Sequence, residues 1–184
     1  MTKRKLLIFG SNGGLSSNII KLIKKKFKII RINKKILNFN EKQMHLKIIQ
    51  ILSKYNPDII INSSGTLGAN NLKYQEVFNT NFGSNWEIIK FYLNKKITKK
   101  IKIILIGSTS YNKISKNYLL YSASKAALHS LYKGSKKTLK ERNISISIYH
   151  PKRMKTKMIK NLNFINKNAG VNPEIEAKNV IKLI

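Results

Sequence analysis

Tyr121 and Lys125 stand four residues apart in the stretch Tyr121-Ser122-Ala123-Ser124-Lys125. On a helix that spacing puts the phenol and the ammonium on one face. A free tyrosine titrates near pH ~10 and is a poor proton donor or acceptor at neutral pH, whereas a nearby cation favours the phenolate and lowers that value. The pair therefore reads as a general acid/base, Tyr121, tuned by Lys125. Ser108 comes earlier, just past the apolar run Ile101–Ile106, where its hydroxyl is expected to hydrogen-bond the same reacting oxygen. With 37 Lys+Arg in 184 residues, a Tyr and a Lys at this spacing also arise by chance on a surface helix. The pair carries weight only together with elements that would bring it to a ligand.

Those elements begin at the N-terminus. Lys5–Phe9 is an apolar run of the kind buried in a parallel strand. The loop Gly10-Ser11-Asn12-Gly13-Gly14-Leu15-Ser16 follows at once, then an amphipathic helix ending in Lys24-Lys25-Lys26. In the order strand, glycine loop, helix, the glycines let backbone approach a pyrophosphate and the helix start offers free N–H groups. Phe27–Ile32 reads as the second strand. Where a carboxylate would hold a ribose hydroxyl stand Asn33-Lys34-Lys35, which suit a 2′-phosphate, so NADP(H) is expected over NAD(H).

Residues 36–40 are expected to form a short edge strand and Glu41 to Tyr55 a helix, stopped by Asn56-Pro57-Asp58. Ile59-Ile60-Ile61 is a buried strand that opens into Asn62-Ser63-Ser64-Gly65, a strand-end loop where α/β sheets bind ligands. The loop from Thr66 to about Tyr74 is expected to touch substrate. Glu76 to Leu93 reads as one helix with Asn81 inside it, a position usually turned to solvent. Tyr121 to Arg142 is a long helix, Ile144–Tyr149 alternates as a strand, and His150-Pro151 closes it. His150 reads as a strand-end residue rather than a catalyst. A basic loop from Lys152 to Met158 leads to a last helix from Pro173 to Ile184. The alternation predicts one α/β domain over 1–184, a three-layer doubly wound parallel (Rossmann) sheet of about six strands with helices on both faces.

Composition sets outer limits. There is no cysteine, hence no disulfide framework or thiolate chemistry, and the three histidines have no metal-ligand spacing, so no metal is expected. No apolar run is long enough to span a bilayer and the basic N-terminus lacks a signal-peptide core, so a soluble cytoplasmic protein without membrane partners is expected. The net charge is +30. It runs along the whole chain, as codon bias toward Lys, Asn and Ile would produce, and it attracts anionic ligands in general. Nucleic acid is a partner the charge permits but does not favour.

Taken together these residues resemble the short-chain dehydrogenase/reductase family over nearly the whole chain. Phe9-Gly10-Ser11-Asn12-Gly13-Gly14-Leu15-Ser16 resembles its Thr-Gly-x-x-x-Gly-x-Gly cofactor loop, and Asn62-Ser63-Ser64-Gly65 its Asn-Asn-Ala-Gly element. Asn81, Ser108, Tyr121 and Lys125 fall on the family's catalytic Asn, Ser, Tyr and Lys. Pro151 and Thr156-Lys157-Met158 resemble its Pro-Gly-x-x-x-Thr-x-Met segment beside the nicotinamide. The departures are Phe9 for Thr, Ser16 for the last Gly and Lys152 for the Gly after Pro151. The Gly10-x-x-Gly13 spacing and the short interval from Arg31 to Asn62 resemble the sugar-nucleotide branch. The chain ends on its last helix, where members add a strand and a substrate-closing tail, so it reads as a minimal or truncated member.

The resemblance implies hydride transfer between nicotinamide and a carbonyl or alcohol. Tyr121 would move the proton, Lys125 would lower the Tyr121 pKa and hold the ribose, Ser108 would orient the substrate oxygen, and Asn81 would serve a proton relay. Gly10, Ser11, Asn12, Gly13, Gly14, Leu15, Asn33, Lys34, Asn62, Ser63, Gly65, Tyr121, Lys125, Pro151 and Thr156 would contact the cofactor. It also implies a homodimer or homotetramer, and the charge adds an anionic substrate, such as a sugar nucleotide, as an expectation. The rival reading is a catalytically weak Rossmann-fold protein that binds cofactor or a polyanion.

Overall fold

The computed structural model describes residues 2–68, 73–114, 116–160 and 170–184. Parts of the two segments expected to set the substrate, the loop over 66–74 and the stretch 154–169, lie outside the described residues, namely 69–72 and 161–169.

The elements in chain order are β1 Lys5–Phe9, α1 Gly14–Ile23, β2 Lys28–Ile32, α2 Met44–Tyr55, β3 Ile59–Asn62, α3 Tyr74–Phe78, α4 Ser84–Asn94, β4 Ile101–Ile106, α5 Leu119–Glu141, β5 Ile144–Tyr149, α6 Lys157–Lys160 and α7 Pro173–Ile181. The strands form one sheet in the order β2-β1-β3-β4-β5, parallel throughout. Each strand alternates its side chains between the two faces. Leu7 and Phe9 of β1, Ile60 of β3 and Ile103 and Leu105 of β4 point to one face, where α2, α4 and α5 supply Ile48, Leu52, Ile88, Ile89, Leu128 and Leu139. Leu6, Ile8, Ile59, Ile61, Ile104 and Ile106 point to the other, where α1 and α7 supply Ile19, Ile20, Ile23, Ala177 and Val180. The near-continuous Ile/Leu runs are what a sheet covered on both faces requires.

The register decides where the site lies. Phe9 pairs with Ile32 on one side and Asn62 on the other, and Ile106 pairs with Tyr149. Five strands thus end level, and the residues just past them (Gly10, Asn33, Ser63, Ser108 and His150) share one edge of the sheet. The chain runs from β1 outward to β2 and then returns to β3 on the other side of β1. Strand order reverses there, which is where open α/β sheets take ligands.

The structure corrects two expectations. Residues 36–40 are not an edge strand: they form turns, and the sheet has five strands among the described residues. The cause is Asn33, whose Oδ1 accepts from the Lys35 and Ile36 amides at 3.0 and 3.2 Å, a local turn that competes with strand pairing. Leu37 and Phe39 then fold down to cap the core, with Phe39 against Phe9. The helix expected over Glu76 to Leu93 is instead α3, a wider π turn over Asn79–Gly83, and α4. That turn carries Asn81 into the interior, where it is fully buried.

Candidate active site

The glycine loop is shaped by sterics. Gly10 has φ +71°, and a Cβ there would lie 2.8 Å from the Ser64 backbone nitrogen, so this position excludes side chains twice over. Gly10→Val is expected to cost about 2–4 kcal/mol of stability and to abolish cofactor binding; denaturant melts and cofactor titration measure both. Ser16, at the last glycine of the loop pattern, is fully buried. Its hydroxyl contacts that of Ser63, and Ser63 Oγ also donates to the Phe9 carbonyl at 3.2 Å. The extra hydroxyl is thus satisfied inside and ties the first loop to the end of β3.

Beside this loop lies a cleft of about 390 Å³ bordered by Gly10, Asn12, Gly13, Asn33, Lys34, Ser63, Gly65 and Met158. A second, of about 450 Å³, is bordered by Ser108, Tyr118, Tyr121, Pro151, Lys152, Arg153, Thr156 and Met158. Both are of the size that holds small ligands. Met158 borders both, and Thr156 closes down on α1, since a Cβ at Gly14 would lie 2.8 Å from Thr156 Cγ2. The two clefts are therefore halves of one groove along the sheet edge. Met158 belongs to the segment expected beside the nicotinamide, whereas Glu76 and Thr80 in the first half and Tyr118 in the second were not among the residues expected from sequence. The π turn after α3 and the short turn that leads into α5 bring them there.

The reacting end sits in the second half. Ser108 follows β4 in extended backbone, and its Oγ accepts from the Ser110 amide at 3.1 Å. Tyr121, early on α5, lines the same cleft as Ser108. Lys125 lies one turn on with Nζ 5.7 Å from the Tyr121 ring centroid, and it donates to the Ile106 carbonyl at 2.9 Å. The expected lowering of the Tyr121 pKa is reversed. Burial pushes the phenol above its ordinary value and the Ser108 side chain pulls it back only in part. Lys125 absorbs the electrostatic cost itself: burial brings its amine down to about 8.

Asn81 joins these pieces. Its Oδ1 accepts from the Thr66 amide at 2.9 Å, and its Nδ2 donates to the Thr66 carbonyl at 2.9 Å and to Ser124 Oγ at 3.0 Å. Its backbone carbonyl accepts from Asn85 Nδ2 at 3.0 Å. The residue thus pins the loop after Gly65 to the helix that carries Tyr121 and Lys125. Asn62 does the same at the next strand, donating to Ser84 Oγ and Asn85 Oδ1 at 2.9 Å each and accepting from the Ser64 amide at 3.1 Å. Its side chain is spent inside the protein, and Leu15 likewise packs in the core. Of the residues expected to contact cofactor, these two shape the groove from beneath.

The groove suits a nicotinamide dinucleotide. Ser11 Oγ and Ser64 Oγ are buried beside the glycine loop with no hydrogen-bond partner among the described residues, and buried hydroxyls are rarely left so. Helix α1 starts at the groove with no side-chain cap and no acid in its first turn, which leaves its amides to an anion. Among the described residues no helix is long and apolar enough to cross a membrane and no cluster of three metal-ligating side chains exists.

The model of the short chain dehydrogenase family matches residues 6–167. The chain belongs to the short-chain dehydrogenase family. It is an NAD(P)-dependent oxidoreductase of that type. It is 28% identical over 195 residues to the 3-oxoacyl-[acyl-carrier-protein] reductase FabG of Buchnera aphidicola subsp. Schizaphis graminum, covering 88% of this chain and 78% of that protein. Among solved structures, the fold is similar to the 3-alpha-hydroxysteroid dehydrogenase from Pseudomonas sp. B-0831 complexed with NADH (TM-score 0.84, 12% identity, 97% of this chain and 89% of that one). It is also similar to a short chain dehydrogenase from Burkholderia cenocepacia J2315 in complex with NADP (TM-score 0.79, 12% identity, 98% and 83%). The short-chain dehydrogenase glycine loop, Asn81, Ser108, Tyr121 and Lys125 of this member all lie on the one groove or directly beneath it.

Proposed function

We propose that this dehydrogenase interconverts a carbonyl compound and its alcohol with NADP(H) as the preferred cofactor and Tyr121 as the proton donor and acceptor. The observation that carries the reading is that Ser108 and Tyr121 line one cleft, with Lys125 Nζ 5.7 Å from the Tyr121 ring centroid. When bound, the nicotinamide supplies or accepts the hydride. Gly10, Asn12, Gly13 and the first turn of α1 would hold the phosphates, and Lys125 the nicotinamide ribose. An ordinary tyrosine is already neutral at physiological pH and burial raises the Tyr121 pKa further, so the form present is the one that donates a proton to a carbonyl oxygen as that oxygen gains charge. Ser108 would donate a second hydrogen bond to the same oxygen. Asn81 keeps α5 and the Gly65 loop in place while this happens.

Cofactor preference rests on Asn33 and Lys34 at the end of β2, both bordering the cofactor half of the groove. A charge-assisted contact to phosphate is worth about 1.5–3 kcal/mol. Lys34→Asp is therefore expected to weaken NADPH binding at least about tenfold and to leave NADH binding nearly unchanged, as fluorescence titration would measure; tighter binding of NADH by the unaltered protein overturns the preference.

For the substrate, Lys152 and Arg153 are the charged side chains on the second cleft, which supports a carbonyl compound that carries an acidic group. A cofactor-oxidation screen tests the whole reading. It would pair anionic with neutral carbonyl compounds and include a 3-oxoacyl-[acyl-carrier-protein], the substrate named for the Buchnera relative. Oxidation by none of them counts against the enzyme reading, and equal rates for charged and neutral members count against the anionic one. A cytoplasmic homodimer or homotetramer packed through α4 and α5 completes the proposal, and light scattering would reveal a monomer if the assembly is wrong.

A further inference from the structure

Against the Ser108 backbone lies a cluster of rings that the mechanism above does not use. His150, just past β5, has Nδ1 3.1 Å from the Ser108 amide nitrogen and 2.9 Å from the Ser108 carbonyl oxygen. Its Nε2 is 3.1 Å from Nδ1 of His129 on α5. Tyr111 stacks on both imidazoles, with ring centroids 4.2 Å away in each case. The ring reaches Ser108 only because residue 107 is glycine: a Cβ there would lie 2.4 Å from His150 Nδ1. Gly107 and Tyr111 from the connection after β4, His129 from α5 and His150 from the end of β5 fit one another.

One nitrogen cannot both accept from the Ser108 amide and donate to the Ser108 carbonyl. The carbonyl already receives a hydrogen bond from the Tyr111 amide at 3.2 Å. The amide of Ser108 has His150 Nδ1 as its acceptor, and a buried N–H left alone is costly. The tautomer that gives the Ser108 amide its acceptor has Nδ1 bare, Nε2–H donating to His129 Nδ1, and His129 carrying its proton on Nε2; it leaves Nδ1 facing the Ser108 carbonyl oxygen as a second acceptor.

We infer that His150 is a positioning residue for the hydride-transfer site. Its unprotonated Nδ1 fixes the Ser108 backbone, and hence the hydroxyl beside Tyr121, while His129 fixes the tautomer that makes this bond. The inference rests on the acid/base reading of Ser108 and Tyr121 given above. It carries a pH dependence, because a proton on His150 Nδ1 turns the acceptor into a donor and releases the Ser108 amide. The titratable groups facing the pair are Lys125 and Lys133 on α5, with Tyr132 next to His129 and Tyr111 stacked on both. None is acidic. Burial first, then Lys133 for His129, and His129 and Lys125 for His150, hold both imidazoles below the ordinary histidine value, although the hydrogen bond to the Ser108 backbone raises His150 in part, so the neutral form is the one present at physiological pH.

Two substitutions test this. His150→Leu removes the acceptor and His150→Asn keeps one, because an asparagine Oδ1 takes the place of Nδ1. His150→Leu is expected to lower kcat about ten- to a hundredfold, the scale on which a small misplacement near the chemistry is felt, with cofactor Kd unchanged. His150→Asn should restore most of kcat. The unaltered enzyme should lose kcat as pH falls below the ordinary histidine range, and His150→Asn should lack that acid limb. Imidazole nitrogen shifts by NMR read the tautomer directly, independent of turnover. Leu and Asn variants with equal kcat, or an Nδ1–H tautomer on His150, overturn the inference. A wild-type enzyme without turnover would instead count against the acid/base reading, and the tautomer measurement would still decide the role of His150.

Discussion

Tyr121→Phe is expected to lower kcat by about 10²–10⁴-fold, the usual worth of a positioned acid or base, while cofactor affinity stays within about twofold. The substitution removes a single oxygen. Tyr121 is only half-buried and its ring stays packed on α5, while Ser108 Oγ keeps the Ser110 amide as a partner. Little else in the fold should respond. Stopped-flow measurement of cofactor oxidation, with a parallel cofactor titration, separates the two quantities. Turnover that survives in the Phe variant would take the phenol out of the mechanism and leave Ser108 or a solvent path as the proton source.

The second large effect belongs to Lys125. Its amine is buried and brought down to about 8, whereas the Tyr121 phenol is pushed up. A basic limb near pH 8 in kcat/KM should therefore report Lys125 losing its charge in the free enzyme, not Tyr121 ionising. Lys125→Met should flatten that limb. It should also lower kcat/KM at pH 7 by about ten- to a hundredfold, the worth of one charge-assisted hydrogen bond. Stability moves the other way. Because the native value lies below the unfolded one, the unfolded chain binds the extra proton between about pH 8 and pH 10.5. Lys125 therefore costs stability in full below about pH 8, and that cost fades as pH rises through the window. Removing the buried ammonium should raise Tm below pH 8 and change it little above pH 10.5, less whatever is lost when the Ile106 carbonyl gives up its donor. A variant that keeps the limb near pH 8 would show that another group titrates there.

Asn81 and Asn62 show what these residues give up in order to serve the site. Each places a polar side chain in a region packed like hydrocarbon, and each is tolerated because every polar atom it has is paired. The π turn at Asn79–Gly83 is the local distortion that allows it, since such turns widen a helix where function needs a side chain redirected.

Periodicity alone determined most of the fold. Strands of Ile and Leu bounded by Gly, Asn and Pro, alternating with amphipathic helices, admit little besides a doubly wound sheet, and Tyr121 with Lys125 needed only helical spacing to share a face. Strand registers then made the separate segments meet, a matter of contacts between residues far apart in the chain that no local pattern encodes. The same is true of what the pattern got wrong. Residues 36–40 look like a strand, but one side-chain oxygen on Asn33 turned them into a cap. Asn81 looks exposed until the helix widens beneath it. The direction of the Tyr121 pKa turned on burial against proximity, and burial won, with Lys125 absent from the groups that shift it. His150 reads as a strand end in the sequence. Only the tertiary structure sets its ring against Ser108, through the space Gly107 leaves and the stack that Tyr111 and His129 complete.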